Sequence, residues 1–366
     1  MRKILLIAPD WLAADQDESV LRQNLAALSQ MAELGELKRI SHLPQVETPE
    51  ALVLGFPPDH VRLAQGPLTV AALGADPPPR STHFHLTPMS FDNGILAEIE
   101  WDLPGEEVDL AMERAKLLNT KTLTIVAGEN KDHGLVWEGI GDLGTRDPAN
   151  ASQQGYHASL PEGDNEPAMR RFVDDSVNIL SELELNARRV NEGLPPINVL
   201  WPWGHGVRAD VPNLAIHRGA PAFVVSQSLR LAGLTRLAGY RHSDLISTRL
   251  GMNADWEQIA NQAMARDATI IWTSIFKDLR SKGQLDEAQW LSKRVDDLLV
   301  DPILSHSRDN PIRLAILAPC TSGEGLSLTY QSRMSSGNTT PFDERALEEK
   351  LSSWQLHEAV ELLMLD

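Results

Sequence analysis

Histidine side chains are the groups in this sequence best suited to bind a metal ion or an anion. His83 and His85 lie two residues apart in the alternating run from Thr82 to Leu86, a pattern that predicts a β-strand. Residues i and i+2 of a strand face the same side, so the two imidazoles could share a metal ion or an anion. Two ligands do not complete a metal site, and we favour an ordinary polar face or an anion contact.

An acidic cluster follows the first predicted strand, where an α/β sheet presents its ligand crevice. It consists of Asp10, Asp15 and Asp17. Carboxylates at this place could bind a divalent cation, but aspartates are also common in the first turn of a helix because they oppose its dipole. We treat Asp10 and Asp15 as candidate vestiges of a metal site.

The segment Trp201–Gly206 reads Trp-Pro-Trp-Gly-His-Gly and has the most unusual local composition in the chain. Its glycines allow the backbone to approach a ligand closely, and His205 offers a titratable donor. A tight strand-to-loop junction with packed tryptophans explains the composition equally well.

No serine lies in a nucleophile-elbow pattern and Cys320 has no base beside it, so nucleophilic catalysis has no support from sequence motifs.

Alternating strands and helices must position these side chains. Short β-rich runs predict strands, and apolar residues at helical spacing predict amphipathic helices between them. The strand runs begin at Lys3, Thr122, Asn198, Ala222, Thr269 and Ile312, and the helical patterns cover 17–34, 106–118 and 165–191. This alternation predicts an α/β fold with a doubly wound, mostly parallel sheet.

Proline- and glycine-rich seams at 55–58, 74–79 and 193–196 divide the chain. After the second seam, two alternating runs flank Asn93-Gly94, which predicts a β-hairpin. Antiparallel strands between parallel-sheet patterns indicate a smaller inserted α+β lobe. We therefore expect residues 1–79 and 197–366 to form the core and residues 80–196 to form a cap lobe.

Charge and composition exclude several classes of partner. The 366 residues include 51 acidic and 33 basic side chains, a formal net charge of -18 that repels nucleic acid and anionic lipid surfaces. A single cysteine excludes a disulfide framework. The apolar run Ile4–Ala8 is too short for a signal peptide or a membrane span. We expect a cytoplasmic protein that binds neither nucleic acid nor membranes.

The stretch Asn186–Gly206 carries a longer pattern. It matches Asn-x-x-Arg-x-x-x-Gly-x-x-Pro, then an asparagine, then Trp-x-Trp-Gly and a final glycine. This resembles a signature of the archaeal-type 2,3-bisphosphoglycerate-independent phosphoglycerate mutases. The resemblance implies an alkaline phosphatase-like core with an inserted lobe, a phosphorylated ligand, and a serine nucleophile beside two divalent cations, Mn or Zn.

The residues that such chemistry needs are mostly replaced. Only Thr48 lies near the position of the nucleophile, and it is a weak candidate. The family's Asp-Glu-x-Gly-His corresponds to Lys277–Ser281, and its later Asp-His pair corresponds to Ala318-Pro319. A lysine in a dication site opposes metal binding. We expect no bound metal.

The resemblance also implies a phosphate clamp, and this clamp is eroded. Gln65, His85 and Asp132 stand where the family has arginines, whereas Arg189 is retained. Arginine binds phosphate oxygens in pairs, and an aspartate in its place reverses the interaction. Ligand contacts are then implied for five residues: Arg189, Asn198, His205, His133 and His85.

Our leading hypothesis is a degenerate mutase-like scaffold that binds a small phosphorylated ligand or has a regulatory role, with no cofactor. An alternative is an active metal-dependent mutase, or a related phosphotransferase or phosphohydrolase that uses Mn or Zn. Its site would be rebuilt from Asp10, Asp15, His83, His85 and His205. A third hypothesis is a non-catalytic subunit that forms a homo-oligomer or pairs with an active relative.

Overall fold

The computed structural model describes most of the chain. The described ranges are 1–12, 25–40, 49–57, 63–99, 105–154, 156–208, 210–219, 221–243, 254–320, 325–332 and 356–365. Asp15, Asp17 and Thr48, three residues singled out in the sequence, lie outside these ranges.

The described strands are numbered in chain order. They are β1 (Arg2–Ile7), β2 (Glu36–Ile40), β3 (Ser81–Asp92), β4 (Ile95–Glu98), β5 (Leu123–Val126), β6 (His133–Glu138), β7 (Leu143–Gly144), β8 (Glu162–Gly163), β9 (Val199–Val207), β10 (Phe223–Ser226), β11 (Arg241–His242), β12 (Ala268–Trp272), β13 (Ile312–Ala318) and β14 (Gly325–Gln331).

The described α-helices are numbered in the same way. They are α1 (Ala26–Leu34), α2 (Pro49–Val53), α3 (Gln65–Ala72), α4 (Gly105–Ala115), α5 (Pro148–Gln154), α6 (Tyr156–Ser159), α7 (Glu166–Ser181), α8 (Glu184–Asn191), α9 (Leu214–His217), α10 (Leu229–Leu237), α11 (Trp256–Met264), α12 (Ile275–Ser281), α13 (Leu285–Val295), α14 (Asp301–His306) and α15 (Leu356–Leu365). A 3₁₀ turn covers Lys116–Leu118, and a π-helical turn, Asp296–Val300, joins α13 to α14. No helix in the described ranges is long and apolar enough to cross a membrane.

The larger sheet has seven strands in the order β11-β10-β12-β1-β13-β14-β2. β1 is central and pairs in parallel with β12 on one side and β13 on the other. Residues Ile4–Ile7 are all buried, as expected for a parallel strand covered on both faces. β14 and β2 add antiparallel strands at one edge. The predicted α/β fold with a mostly parallel central sheet is confirmed.

Helix α1 is held in place by a distant carboxylate. Asp296 is fully buried and accepts hydrogen bonds from the backbone N–H groups of Ala27, at 3.0 Å, and Leu28, at 2.8 Å. These are N–H groups of the first turn, which have no partner within the helix. Burial raises the pKa of Asp296, and the two N–H donors oppose that shift.

The chain divides into two compact units. The first contains residues 1–62, 212–228 and 238–366, and the second contains residues 63–211 and 229–237. The large sheet belongs to the first unit. The assignment of 1–79 and 197–366 to a core and of 80–196 to a cap lobe stays a prediction.

The second unit contains a five-stranded sheet in which β3 pairs with β4, β6 and β9, and β6 pairs with β5. The predicted hairpin joins β3 to β4 through Asn93 and Gly94, both with positive φ (49° and 83°), as a type I′ turn requires. β9 contains most of the run that begins at Asn198, which the sequence pattern groups with the parallel strands. It pairs antiparallel with β3 instead, and the pattern does not reveal this because a short buried apolar run has the same composition in either kind of sheet.

A β-bulge interrupts β9 opposite the histidines of β3. His83 pairs with Gly206 and His85 pairs with Trp203, so β9 carries one extra residue between them. Gly204 has φ of 60° there, and a Cβ on it would lie 2.7 Å from the Gln65 Cβ. The bulge thus requires glycine at this point, and it carries His205.

Candidate functional site

A buried hydrogen-bonded chain crosses one face of β3. The Thr69 hydroxyl of α3 lies 2.7 Å from His85 Nδ1, and His85 Nε2 lies 3.4 Å from Asp132 Oδ1 and 3.3 Å from the Lys131 carbonyl oxygen. Since both oxygens near Nε2 are acceptors, the proton of the neutral ring belongs on Nε2 and Nδ1 accepts from Thr69. Thr69 and His85 are 0% and 3% exposed. This threonine–histidine–aspartate set is called the buried chain below.

Burial sets the charge of the buried chain. It lowers the pKa of His85 to about 4, against the raising effect of the hydrogen bond to Lys131. It also raises the pKa of Asp132 to about 6. The Asp132 side chain is 37% exposed, so solvent screens part of that effect. At neutral pH the imidazole is therefore neutral and cannot act as a fixed positive charge for phosphate.

His83 lies on the same face, as the spacing predicted, but it has its own partners. The Ser81 hydroxyl donates to the Pro78 carbonyl at 2.7 Å, so at 2.9 Å from His83 Nε2 it accepts the ring proton. Nδ1 is then an acceptor, and it is buried with no hydrogen-bond partner among the described residues. Burial, and secondly the charge of Arg208, lower the pKa of His83 to about 4.

His133 holds the loop that precedes β6. Its Nδ1 accepts from the Gly128 N–H at 3.0 Å, and its Nε2 lies 2.9 Å from the Asn130 carbonyl oxygen. Both ring nitrogens are thus used within one turn. Burial lowers the pKa of His133 to about 4.

The residues of the longest sequence pattern bind their own backbone. Asn186 bonds to Leu180 and to both backbone groups of Ile197 at 2.7–2.8 Å. Asn198 bonds in the same way to both backbone groups of Phe91, at 2.7 and 2.8 Å. These amides have little hydrogen-bonding capacity left for a ligand, and the assignment of Asn198 as a ligand contact stays a prediction.

Arg189, the retained arginine, is buried and paired within the protein. Its Nη1 lies 2.5 Å from a Glu107 carboxylate oxygen, and its Nε donates to the Pro195 carbonyl at 2.8 Å. Glu107 also pairs with Arg188 at 3.1 Å. A ligand phosphate would have to compete with Glu107 for this guanidinium, and a role of Arg189 in ligand binding stays a prediction.

His205 belongs to a second hydrogen-bonded chain, which is open to solvent. Its Nε2 lies 2.9 Å from Asp142 Oδ1, and its Nδ1 lies 3.3 Å from the Thr145 hydroxyl. The His205 side chain is 26% exposed and that of Asp142 is 91% exposed. Trp201 fixes the loop beside it by donating from Nε1 to the Arg146 carbonyl at 2.8 Å. We call Thr145, His205 and Asp142 the exposed chain.

In the first unit, the described residues directly after β1 include one carboxylate, Asp10. Asp10 follows β1, is buried, has φ of 60° and donates its N–H to the Pro319 carbonyl at 3.0 Å. Next to it, Trp11 stacks on Phe276 of α12 with ring centroids 5.2 Å apart. Pro319-Cys320 follows β13, and Cys320 is buried.

The segments after β10 and β12 carry polar side chains that donate hydrogen bonds to carboxylates. Gln227 follows β10 and donates to the Ser274 hydroxyl at 2.9 Å, and Ser274 donates to Asp278 at 3.1 Å. Ser228 donates to Glu50 at 3.3 Å. Lys277 is exposed on α12.

A centre of two divalent cations, which the resemblance implies, requires several carboxylate and imidazole ligands within about 2.0–2.6 Å of each ion. In the described ranges, no group of three or more His, Cys, Asp or Glu side chains lies close enough to hold a metal ion. The described donor set at this edge does not fit the two-cation centre.

The fold itself has solved counterparts. It superposes on the cofactor-independent phosphoglycerate mutase of Thermoplasma acidophilum with a TM-score of 0.63, at 18% identity and over 100% of this chain and 99% of that chain. It superposes on the PH0037 protein of Pyrococcus horikoshii with a TM-score of 0.72, at 17% identity and over 99% of this chain and 97% of that chain. The molecule thus has the fold of the cofactor-independent phosphoglycerate mutases.

Sequence relatives agree with the fold. The chain is 20% identical over 340 residues to 2,3-bisphosphoglycerate-independent phosphoglycerate mutase 2 of Methanothermobacter thermautotrophicus, covering 85% of this chain and 82% of that protein. It is 24% identical over 227 residues to the mutase of Methanoculleus marisnigri, covering 58% of this chain and 55% of that protein. No family model matches the chain. Its homologues are archaeal 2,3-bisphosphoglycerate-independent phosphoglycerate mutases, and the chain is phosphoglycerate mutase-like.

Sequence reasoning did not single out Thr69, Thr145 or Asp142 as functional. Asp142 lies in the glycine-rich segment 139–144, and Thr145 follows Asp142 three residues later. A hydroxyl and a carboxylate three residues apart are too common to identify a site. Their pairing with His205 depends on the tertiary structure.

Proposed function

We propose that this chain is a phosphoglycerate mutase-like protein that has lost mutase activity and binds a small phosphorylated ligand. The observation that carries the proposal is the donor set at the carboxyl ends of β1, β12 and β13. Among the described residues there, the carboxylates include Asp10, which precedes Trp11 of the Trp11–Phe276 stack, and Asp278, which already accepts a hydrogen bond from Ser274. No three His, Cys, Asp or Glu side chains of the described residues lie close enough together to hold a metal ion. We further propose a cytoplasmic location and no resident cofactor.

The chemistry of phosphoryl transfer supports the loss of activity. Two dications would have to polarise the phosphoryl oxygens and activate a hydroxyl nucleophile. An aromatic stack cannot replace carboxylate and imidazole ligands, because carbon atoms offer no lone pair to a cation. A protein with these residues at the strand ends retains the fold of its homologues but lacks the metal ligands needed to transfer a phosphoryl group between oxygens.

An unpaired arginine supports phosphate binding. Arg146 is half-buried in the second unit, and its guanidinium makes no hydrogen bond or ion pair to the described residues. A partly exposed guanidinium can bind an anionic ligand through paired N–H donors. With a net charge of -18, a phosphorylated ligand needs such a local cation.

The first test measures metal content and mutase turnover on one preparation purified without chelators. We expect less than one Mn or Zn ion per chain and no interconversion of 2- and 3-phosphoglycerate in added Mn²⁺. A stoichiometric metal ion together with turnover would contradict the proposal and support the alternative of an active metal-dependent enzyme.

The second test measures binding of 3-phosphoglycerate by calorimetry, with unphosphorylated glycerate as the control. We expect only the phosphorylated compound to bind, and Arg146→Gln to weaken binding about tenfold, equivalent to about 1.4 kcal/mol. Arg171, an exposed arginine on α7, offers the matched control Arg171→Gln. Equal binding by both variants would contradict the role of Arg146.

A further inference from the structure

The exposed chain has the geometry of an activated nucleophile. Thr145 Oγ1 and His205 Nδ1 are 3.3 Å apart, and His205 Nε2 and Asp142 Oδ1 are 2.9 Å apart. A hydroxyl, an imidazole and a carboxylate in this order form the arrangement in which the carboxylate orients the base and the base accepts the hydroxyl proton. Thr145 and His205 are both partly exposed, so a substrate can reach them.

The hydrogen bonds also fix the tautomer that the reaction needs. The Asp142 carboxylate accepts the proton on His205 Nε2, which leaves the Nδ1 lone pair directed to the Thr145 hydroxyl. Trp201 holds the backbone of the next residue, Arg146, and so limits the movement of Thr145. In the buried chain the same three groups occur, but Thr69 is fully buried and no substrate can reach it.

We propose that Thr145, His205 and Asp142 form an acyl-transfer site that hydrolyses small carboxylic esters without a metal ion. Arg146, which lacks an ion pair in the described part of the chain, favours esters that carry a negative charge. Thr145 and His205 are the catalytic residues, and Asp142 is a positioning residue. This inference goes beyond the proposed function and does not rest on it.

Each step balances. Thr145 Oγ1 attacks the ester carbonyl carbon while its proton moves to His205 Nδ1, and a tetrahedral adduct forms. The adduct collapses, the bond between the carbonyl carbon and the alcohol oxygen breaks, and His205 returns the proton to the leaving alcohol. Water then attacks the acyl-threonine, with His205 again accepting and returning one proton, to release the carboxylic acid and restore Thr145.

The experiment follows release of 4-nitrophenol from 4-nitrophenyl acetate and from the mono-4-nitrophenyl ester of succinate. Surface imidazoles hydrolyse such esters unaided, so His157→Gln, which removes an exposed histidine of α6, measures that background. We expect His205→Gln and Thr145→Val each to lower kcat/KM about 100-fold relative to His157→Gln. We expect Arg146→Gln to abolish the preference for the succinate ester.

Asp142 is tested by the split between kcat and KM, which a merely structural role would not produce. In Asp142→Asn, kcat should fall about tenfold with KM unchanged, because the base loses the carboxylate that orients it. Asp142→Glu should restore part of the rate. Mass spectrometry of acid-quenched enzyme should place an acetyl group on the peptide that contains Thr145.

Three results would overturn the proposal. One is a wild-type rate no higher than that expected from surface imidazoles. Another is equal rates for His205→Gln and His157→Gln in proteins with the same thermal unfolding midpoint. The last is acetylation at a residue other than Thr145 with an unchanged rate in Thr145→Val. Loss of mutase-like ligand binding would not bear on these results, so the two proposals can fail separately.

Discussion

The second unit contains the same set of three groups twice, once inside and once at the surface. Thr69, His85 and Asp132 form the buried chain, and Thr145, His205 and Asp142 form the exposed chain. In both, Nδ1 of the imidazole faces a threonine hydroxyl and Nε2 faces an aspartate. They differ in access to solvent, since His85 is 3% exposed and the His205 side chain is 26% exposed.

Access to solvent decides what each chain can do. The buried imidazole is kept neutral because protonation would place a charge in a site with little water. Its hydrogen bonds join α3, β3 and the loop before β6, so it contributes to stability and has no route to a substrate. The exposed chain contributes less to stability, but water or a ligand can reach its hydroxyl. Similar contacts therefore have a structural role in the buried chain, whereas in the exposed chain they leave the hydroxyl accessible for the proposed chemistry.

The largest expected effect that separates the two regions is the response to acid. Burial lowers the pKa of His83, His85 and His133 to about 4 from 6.5, so these rings take up protons on unfolding between those pH values. Their contribution to the free energy of unfolding is fully present above pH 6.5 and is lost as the pH falls through 4. It is on the order of 3 kcal/mol for each ring. Urea unfolding between pH 7.5 and 4 should show stability falling with pH.

Two variants sharpen this measurement. Asp132 acts in the opposite direction, because its pKa of about 6 in the folded protein favours the protonated form as the pH falls. Asp132→Asn should therefore steepen the loss of stability on acidification. His83→Gln should reduce the slope by about one proton, or about 1.4 kcal/mol per pH unit. A free energy of unfolding that does not change with pH would contradict the assignment of three neutral buried rings.

A smaller effect is expected from removing each hydroxyl. Thr69→Val leaves His85 Nδ1 with only the longer contact from the Gln65 amide, at 3.5 Å, and should cost about 1–3 kcal/mol. Thr145→Val is the matched change in the exposed chain, where water can replace the hydroxyl, and should cost less than about 0.5 kcal/mol. Equilibrium unfolding in urea at pH 7.5 measures both. Equal costs would mean that burial does not separate the two chains.

The smallest expected effect concerns the bulge that carries His205. Gly204→Ala places a Cβ 2.7 Å from the Gln65 Cβ at φ of 60°, whereas Gly139→Ala, at φ of 75°, meets nothing within 4 Å. Backbone strain alone should cost about 1 kcal/mol in Gly139→Ala. Gly204→Ala should cost roughly 1 kcal/mol more because α3 must move. If thermal unfolding shows no difference, the bulge does not need glycine for reasons of space.

Much of the fold could be predicted because local patterns encode it. The apolar run Ile4–Ile7 forms a buried parallel strand, and Asn93-Gly94 forms the hairpin turn. β9 was assigned to the wrong sheet because Val199–Trp201 is apolar at every position, and such a run does not reveal its partners. Strand pairing is a property of the whole chain, whereas strand formation is partly local.

The candidate site was less predictable, since its groups are far apart in the sequence. The spacing of His83 and His85 correctly placed both on one face of β3, but their partners are separate: Ser81 for one ring and Thr69 for the other. Asp142 lies 63 residues from His205. No sequence pattern links residues at such a distance, so the exposed chain became visible only in the structure.

The longest match to the mutase signature also has a structural explanation. Asn186 and Asn198 bond to backbone groups, and Arg189 bonds to Glu107 and Pro195. These contacts fix the turn between α8 and β9. The residues of this stretch are therefore accounted for by their own backbone contacts.

The central position of β1 has a consequence for synthesis of the protein. Ribosomes extend a chain by roughly 5–20 residues per second. The partners of β1 begin at Ala268 and Ile312, so this apolar strand waits more than about ten seconds with both of its edges unpaired. During that time the unpaired apolar strand is exposed to other nascent chains that are translated from the same messenger RNA. A chaperone that shields the first residues should therefore raise the yield of folded protein more than one that acts after release.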